Sequence, residues 1–174
     1  MGAMTLSWPF TTAGVVAAAV TGGLATDPDS AWFRGLHKPW FYPPPQTFGL
    51  VWTPLYATIA WAGAKGIDQA RASGDDRAAR RIGVAFGVNM VLNAGWNVVF
   101  FRAHRPWAAL VEICVLEASV LELAHQVNAQ SPRAGKALLA YAAWTGFAGL
   151  LTAAIAWENR RPVETASDRV GSPI

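Results

Sequence analysis

The chain has 174 residues, a net charge of +3, and 53% hydrophobic against only 14% charged residues. That length fits one domain, and the balance is too apolar for an ordinary water-soluble protein of this size, so the membrane class comes first. The positive excess does not indicate nucleic acid as a partner: the basic residues sit in short connectors beside apolar segments, where anionic lipid headgroups account for them.

Four windows carry no Asp, Glu, Lys or Arg: 6–26, 39–64, 82–101 and 137–157. Each approaches or exceeds the roughly 20 residues needed to cross hydrocarbon. A fifth window, 107–127, contains Glu112, Glu117 and Glu122, yet it lies between two strong spans and is predicted to cross as well. The expected fold class is therefore an all-α membrane protein, a five-transmembrane-helix bundle occupying 5–160, with 161–174 as a disordered polar tail. Such a chain is an integral, multi-pass membrane protein, and its sequence does not say which membrane it occupies. Nor is orientation legible, because the Lys and Arg residues divide evenly between the two sides. The first basic residue is Arg34, so 6–26 lacks the basic leader of a secretory signal and is expected to be a retained helix. Between the second and third windows, 65–81 reads as a solvated link, with Asp75 and Asp76 offering helix N-cap chemistry before Arg77. Residues 128–136 contain Ser131-Pro132 and Gly135, which end one helix and start the next.

Small residues mark close helix approach. Gly14, Ala18 and Gly22 share one face of the first window, and Gly83 and Gly87 form a GxxxG pair in the third, which suits either packing within the chain or a homodimer interface. The lone Cys114 excludes an intrachain disulfide and is expected to be a buried, inert hydrophobe.

The most distinctive stretch is 32–56, where Lys38-Pro39-Trp40 and three prolines, Pro43 to Pro45, precede an aromatic-rich segment. Proline fixes φ near −65° and biases its predecessor toward extended backbone, so this connector is predicted to be a stiff, non-helical lid. Beyond it, Phe48, Trp52 and Tyr56 form a stripe at i, i+4 and i+8. Asn93, Trp96 and Phe100 lie at i, i+3 and i+7, and Tyr141, Trp144, Ala148 and Leu151 mark a third face. Such stripes pack the core of any bundle, but three of them beneath a stiff aromatic loop point to a shared cavity. Of the nine tryptophans, Trp8, Trp107 and Trp157 stand at span ends as interfacial anchors, while Trp40, Trp52, Trp96 and Trp144 are expected to face inward.

Asn93 and Asn97 are carboxamides inside an apolar span and need partners; Asn93, on the same stripe as Trp96, is the candidate for orienting a ligand. Successive steps of about 140° separate Glu112, Glu117 and Glu122, so they cannot form one carboxylate cluster. His37, His104 and His125 fall in or beside connectors without the spacing of a metal or haem set, and no metal site is expected. No motif of conventional hydrolysis or nucleotide binding is present.

Trp32, Leu36, Lys38-Pro39, Trp40, Pro43-Pro44, Phe48, Trp52 and Tyr56, then Asn93-x-x-Trp96 with Phe100-Phe101, then Tyr141-x-x-Trp144-x-x-Phe147-Ala148 appear in an order and spacing that strongly resembles the tryptophan-rich sensory protein / translocator protein family, also called the peripheral-type benzodiazepine receptor family. The match covers nearly all of 10–160. The resemblance implies a five-helix bundle, usually dimeric, whose cavity beneath the first loop binds porphyrins and, in animal members, cholesterol and benzodiazepine-type ligands. It implies a pocket lined by Trp40, Phe48, Trp52, Tyr56, Asn93, Trp96, Trp144, Phe147, Ala148 and Leu151. The expected ligand is a planar hydrophobe of the protoporphyrin IX type, with Arg34, His37 or Lys38 near its carboxylates, and no cofactor is required. The chain departs from the family pattern at Phe33, at Leu151-Thr152 and at 153–161, which lacks a tyrosine-containing sterol motif. Bacterial members look like regulators of tetrapyrrole handling by sensing or transport. Alternatives are light-dependent breakdown of the bound porphyrin beside Trp52 and Trp144, or a proton-coupled or lipid and sterol transporter in which Glu117 senses protons.

Overall fold

The computed structural model describes residues 7–160, so the expected tail over 161–174 lies outside the described residues. Among those residues all regular structure is helical: α1 Ser7–Ala25, α2 Ala31–Gly35, α3 Pro45–Ala72, α4 Asp76–Asn97 with a π-helical extension Val98–Arg102, α5 Pro106–Gln130 and α6 Pro132–Glu158. Helix starts arise from local chemistry. Proline occupies the first turn of α3, α5 and α6, where its missing N–H costs nothing. Ser30 caps α2 by accepting from the Phe33 N–H, and Asp75 caps α4 by accepting from the Ala78 N–H at 2.8 Å.

The link read as 65–81 is far shorter than expected. α3 continues to Ala72, because Gly66, Ile67 and Ala70 bury a face against the bundle while Lys65 and Arg71 stay exposed, leaving only 73–75 between α3 and α4. Gly74 takes φ +77° in that turn, a left-handed conformation suited to glycine. Ser131 alone separates α5 from α6.

Such short connections force α3 to α6 to run up and down, with α5 packing most extensively on α6 and α1 wedged against α3 and α4. Phe86, 1% exposed, is the knob at the three-way contact: a Cβ on Gly14 of α1 or Gly63 of α3 would stand 2.7 or 2.8 Å from its ring. Gly14, Ala18 and Gly22 thus serve packing within the chain, with Gly22 facing Asn97.

The outside of the molecule is apolar. Val16, Val20 and Leu24 on α1, Leu50 on α3, Val84, Val88 and Val91 on α4, Val111 and Val115 on α5, and Leu139 and Leu150 on α6 are all exposed. Cys114 joins that outer face instead of the core, since it falls one position past the buried Ile113 and about 100° around α5. Three helical segments, Ser7–Ala25, Asp76–Arg102 and Pro132–Glu158, are long and apolar enough to cross a membrane. α3 and α5 have 28 and 25 residues, sufficient in length, but carry charged side chains.

Candidate functional site

α1, α4 and α6 bring their C-terminal ends, and α3 its N-terminal end, to one end of the bundle, where the 26–44 connector folds over them. Between them lies a cavity of about 390 Å³. α3 contributes Phe48, Trp52 and Tyr56; α4 and its extension contribute Trp96, Asn97, Phe100 and Phe101; α6 contributes Ala148, Leu151, Thr152 and Ile155. The walls are built from stacked rings: Trp52 on Tyr56 at 5.1 Å between centroids, and Trp96 on Phe100 at 5.0 Å. Among the described residues, the lining holds no carboxylate, imidazole, thiol or amine; its polar groups are the Tyr42 and Tyr56 phenols, the Thr26 and Thr152 hydroxyls, the Asn97 carboxamide and the Trp52 and Trp96 indoles, set among apolar walls that can enclose and stack a flat molecule.

Six of the ten expected pocket residues line this space: Phe48, Trp52, Tyr56, Trp96, Ala148 and Leu151. Trp40 does not. It is 96% exposed, because a turn closed by the Tyr42 N–H donating to the Pro39 carbonyl buries Pro39 and turns Trp40 outward at the corner. Tyr42 occupies the cavity wall in its place. Trp144 and Phe147 pack behind the wall, Trp144 against Phe48 at 5.9 Å and Phe147 against Phe41 at 6.5 Å. On α6 the cavity face is set by Ala148, Leu151, Thr152 and Ile155; Phe147 is about 100° off it and Trp144 a full turn deeper.

Asn93, 3% exposed, is absorbed by the bundle. Its Oδ1 accepts from Tyr56 Oη at 2.9 Å and its Nδ2 donates to Tyr141 Oη at 2.9 Å. Tyr141 in turn donates to Asn89 Oδ1 at 3.1 Å, and Asn89 Nδ2 donates to Ser119 Oγ at 3.1 Å. This ladder joins α3, α4, α6 and α5 and satisfies carboxamides that would otherwise be costly at membrane depth.

The three basic candidates also lie outside the lining. Lys38 Nζ donates to the carbonyls of Phe33 (2.8 Å) and Leu36 (3.3 Å) and sits 4.5 Å from the Phe33 ring centroid, so it closes the end of α2. His37 binds through its backbone: its N–H donates to Asn159 Oδ1 at 3.0 Å, and Asn159 Nδ2 donates to its carbonyl at 2.9 Å, tying the connector to the end of α6. Arg34 is exposed. Gly83 and Gly87 face open space on the outer side of α4, with no atom near a Cβ built on either.

The aromatic stripes do not announce the share of α1 in the cavity, Ala19, Gly22, Gly23 and Thr26, nor that of Phe33 and Tyr42. A signal for α1 exists in the Gly22-Gly23 pair: a helix stripped of side chains leaves room as readily as it permits close approach. Phe100 and Phe101 both reach inward because the π-helical turn widens the backbone by one residue and shifts the register of the positions after it.

Known proteins resemble this chain in sequence over more than half of its length. The chain is 32% identical over 130 residues to the tryptophan-rich protein TspO of Archaeoglobus fulgidus, covering 71% of this chain and 77% of that one. It is 30% identical over 139 residues to the translocator protein of Sus scrofa, with 76% and 81% covered. With a tryptophan-rich sensory protein of Cereibacter sphaeroides it shares 32% identity over 99 residues, 57% of this chain and 58% of the other. Residues 10–158 match the TspO/MBR family as a whole, and this integral membrane protein belongs to it.

Proposed function

We propose that the chain binds a flat, largely hydrophobic ligand of the tetrapyrrole class in the cavity under the 26–44 connector, in the service of sensing or transport. The observation that supports this most directly is the chamber of about 390 Å³ walled by two stacked aromatic pairs. Its size falls within the range of small-molecule pockets, and its lining matches their apolar character. All five long helices cross the bilayer in this reading, since each exposes at least one large aliphatic side chain. Two copies associate through the bare Gly83 and Gly87 face of α4, flanked by the exposed Val84, Val88 and Val91.

Titration of the detergent-solubilised protein with protoporphyrin IX tests the reading. A Soret shift and quenching of tryptophan fluorescence are expected, both weakened in Ala148→Trp, which fills the chamber. Absence of quenching in the unmodified chain would refute it.

A second reading is photochemical, and the stacking of Trp52 on Tyr56 in the cavity wall favours it, because both rings are oxidisable and adjacent to the ligand. Illumination of the porphyrin complex in air would then yield a new pigment, in smaller amount with Trp52→Phe. An unchanged spectrum would leave binding alone.

A further inference from the structure

Several hydroxyl protons around the inner cavity are spent on the protein itself, while the Trp96 indole N–H has no partner among the described residues. Thr26 Oγ1 donates to the Gly22 carbonyl at 2.8 Å, with Asn97 Oδ1 at 3.0 Å, and Thr152 Oγ1 donates to the Ala148 carbonyl at 2.8 Å. The deepest of these groups is Tyr56, more than two turns into α3 from Pro45. Its phenol proton goes to Asn93 Oδ1, and each further bond of the ladder runs in the same sense: Asn93 to Tyr141, Tyr141 to Asn89, Asn89 to Ser119. Asn89 and Tyr141 are 0% exposed and Asn93 3%, so no water competes for these bonds. A phenol that has given its proton away keeps only lone pairs for a ligand. No donor among the described residues reaches the Tyr56 oxygen.

We propose that Tyr56 is a specificity-determining residue: a hydrogen-bond acceptor at the inner end of the cavity, held in that role by Asn93, that favours ligands carrying an N–H or O–H on their buried edge. This rests on the cavity being the binding site. It also gives an orientation, because an ionised carboxylate is itself an acceptor and would meet only lone pairs at Tyr56. The carboxylate edge of a tetrapyrrole is therefore disfavoured beside Tyr56. Asn93 acts as the positioning residue, since it alone takes the Tyr56 proton.

Two planar probes of nearly equal size separate the possibilities: carbazole, whose central nitrogen carries a proton, and dibenzofuran, whose central oxygen only accepts. In the full-length protein carbazole is expected to bind roughly three- to tenfold more tightly, the span of one net hydrogen bond. Tyr56→Phe should bring carbazole down to the dibenzofuran value and leave dibenzofuran unchanged. Asn93→Leu returns the phenol proton to Tyr56 and should erase or invert the preference, whereas a purely structural role would weaken both probes equally. Equal binding of the two probes by the unmodified protein, or tighter binding of dibenzofuran, would overturn the assignment. If protoporphyrin IX still quenches tryptophan in that same preparation, the cavity reading survives and only the role of Tyr56 falls. If neither probe nor porphyrin binds, both fall together.

Discussion

The α5–α6 hairpin carries the sharpest steric prediction. A Cβ on Gly135 would stand 2.3 Å from Asn128 Cβ, 2.5 Å from its Cα and 2.7 Å from its backbone nitrogen. Non-bonded carbons settle at about 3.5–4.0 Å, so Gly135→Ala must drive the two helices apart locally by about 1 Å. Backbone cannot swing aside as a long side chain can, and Ser131, the only residue between the helices, gives no slack. Overpacking of this kind costs about 1–3 kcal/mol, and the helix propensity gained by replacing glycine returns at most about 1 kcal/mol. A net loss of about 1–2 kcal/mol is expected. Gly49→Ala in α3 supplies the opposite sign: nothing lies within 4 Å of its Cβ, so propensity acts alone and stability should rise by about 0.5–1 kcal/mol. Thermal unfolding in detergent, monitored by tryptophan fluorescence at one protein-to-detergent ratio, reads both. If Gly135→Ala melts at or above the unmodified protein, the close-approach reasoning is wrong. The outcome also matters for the cavity, because α6 carries Ala148, Leu151, Thr152 and Ile155 into its wall.

Other consequences can be measured alongside. Trp40→Ala should leave protoporphyrin affinity within about twofold, while Trp52→Ala, which removes a stacked ring from the wall, should lower it by about two- to tenfold; titration by quenching reads both, and equal losses would contradict the outward placement of Trp40. Gly83→Leu combined with Gly87→Leu should convert a dimer to a monomer by light-scattering mass in detergent, without altering porphyrin affinity, since that face lies away from the cavity lining. Cys114, exposed on the outer face of α5, should react fully with a membrane-permeant maleimide in the folded protein, judged by intact mass; protection until denaturation would put it back in the core.

The helices and the aromatic stripes are legible in the chain itself because charge-free runs and 3.6-residue spacing are local properties. Phe48, Trp52 and Tyr56 repeat along one face of one helix, and they form one wall of the cavity. What periodicity alone does not reveal is competition for a residue's polar groups. Asn93 looks suited to hold a ligand, yet its carboxamide is consumed by tyrosines from two other helices, one of them distant by 48 positions. Lys38 looks like an anion contact, yet its ammonium closes the short helix beside it. Trp40 departs from expectation for a different reason: in a tight turn neighbouring residues point opposite ways, and the three prolines downstream of it do not disclose the turn type. The helical continuation over 65–72 is hidden because charged residues there occupy only the wet side of the helix.

The clasp at His37 has an asymmetric consequence for how the lid tolerates sequence drift. Both contacts fall on the main chain at position 37, so any residue other than proline supplies the same pair of groups, and the imidazole is dispensable to closure. Position 159 has no such freedom. Only a carboxamide offers an acceptor and a donor side by side, and an aspartate there would keep one bond while setting a negative oxygen against the other carbonyl. Variation at 37 and constancy at 159 is the signature this geometry would leave among close relatives that retain a shut lid.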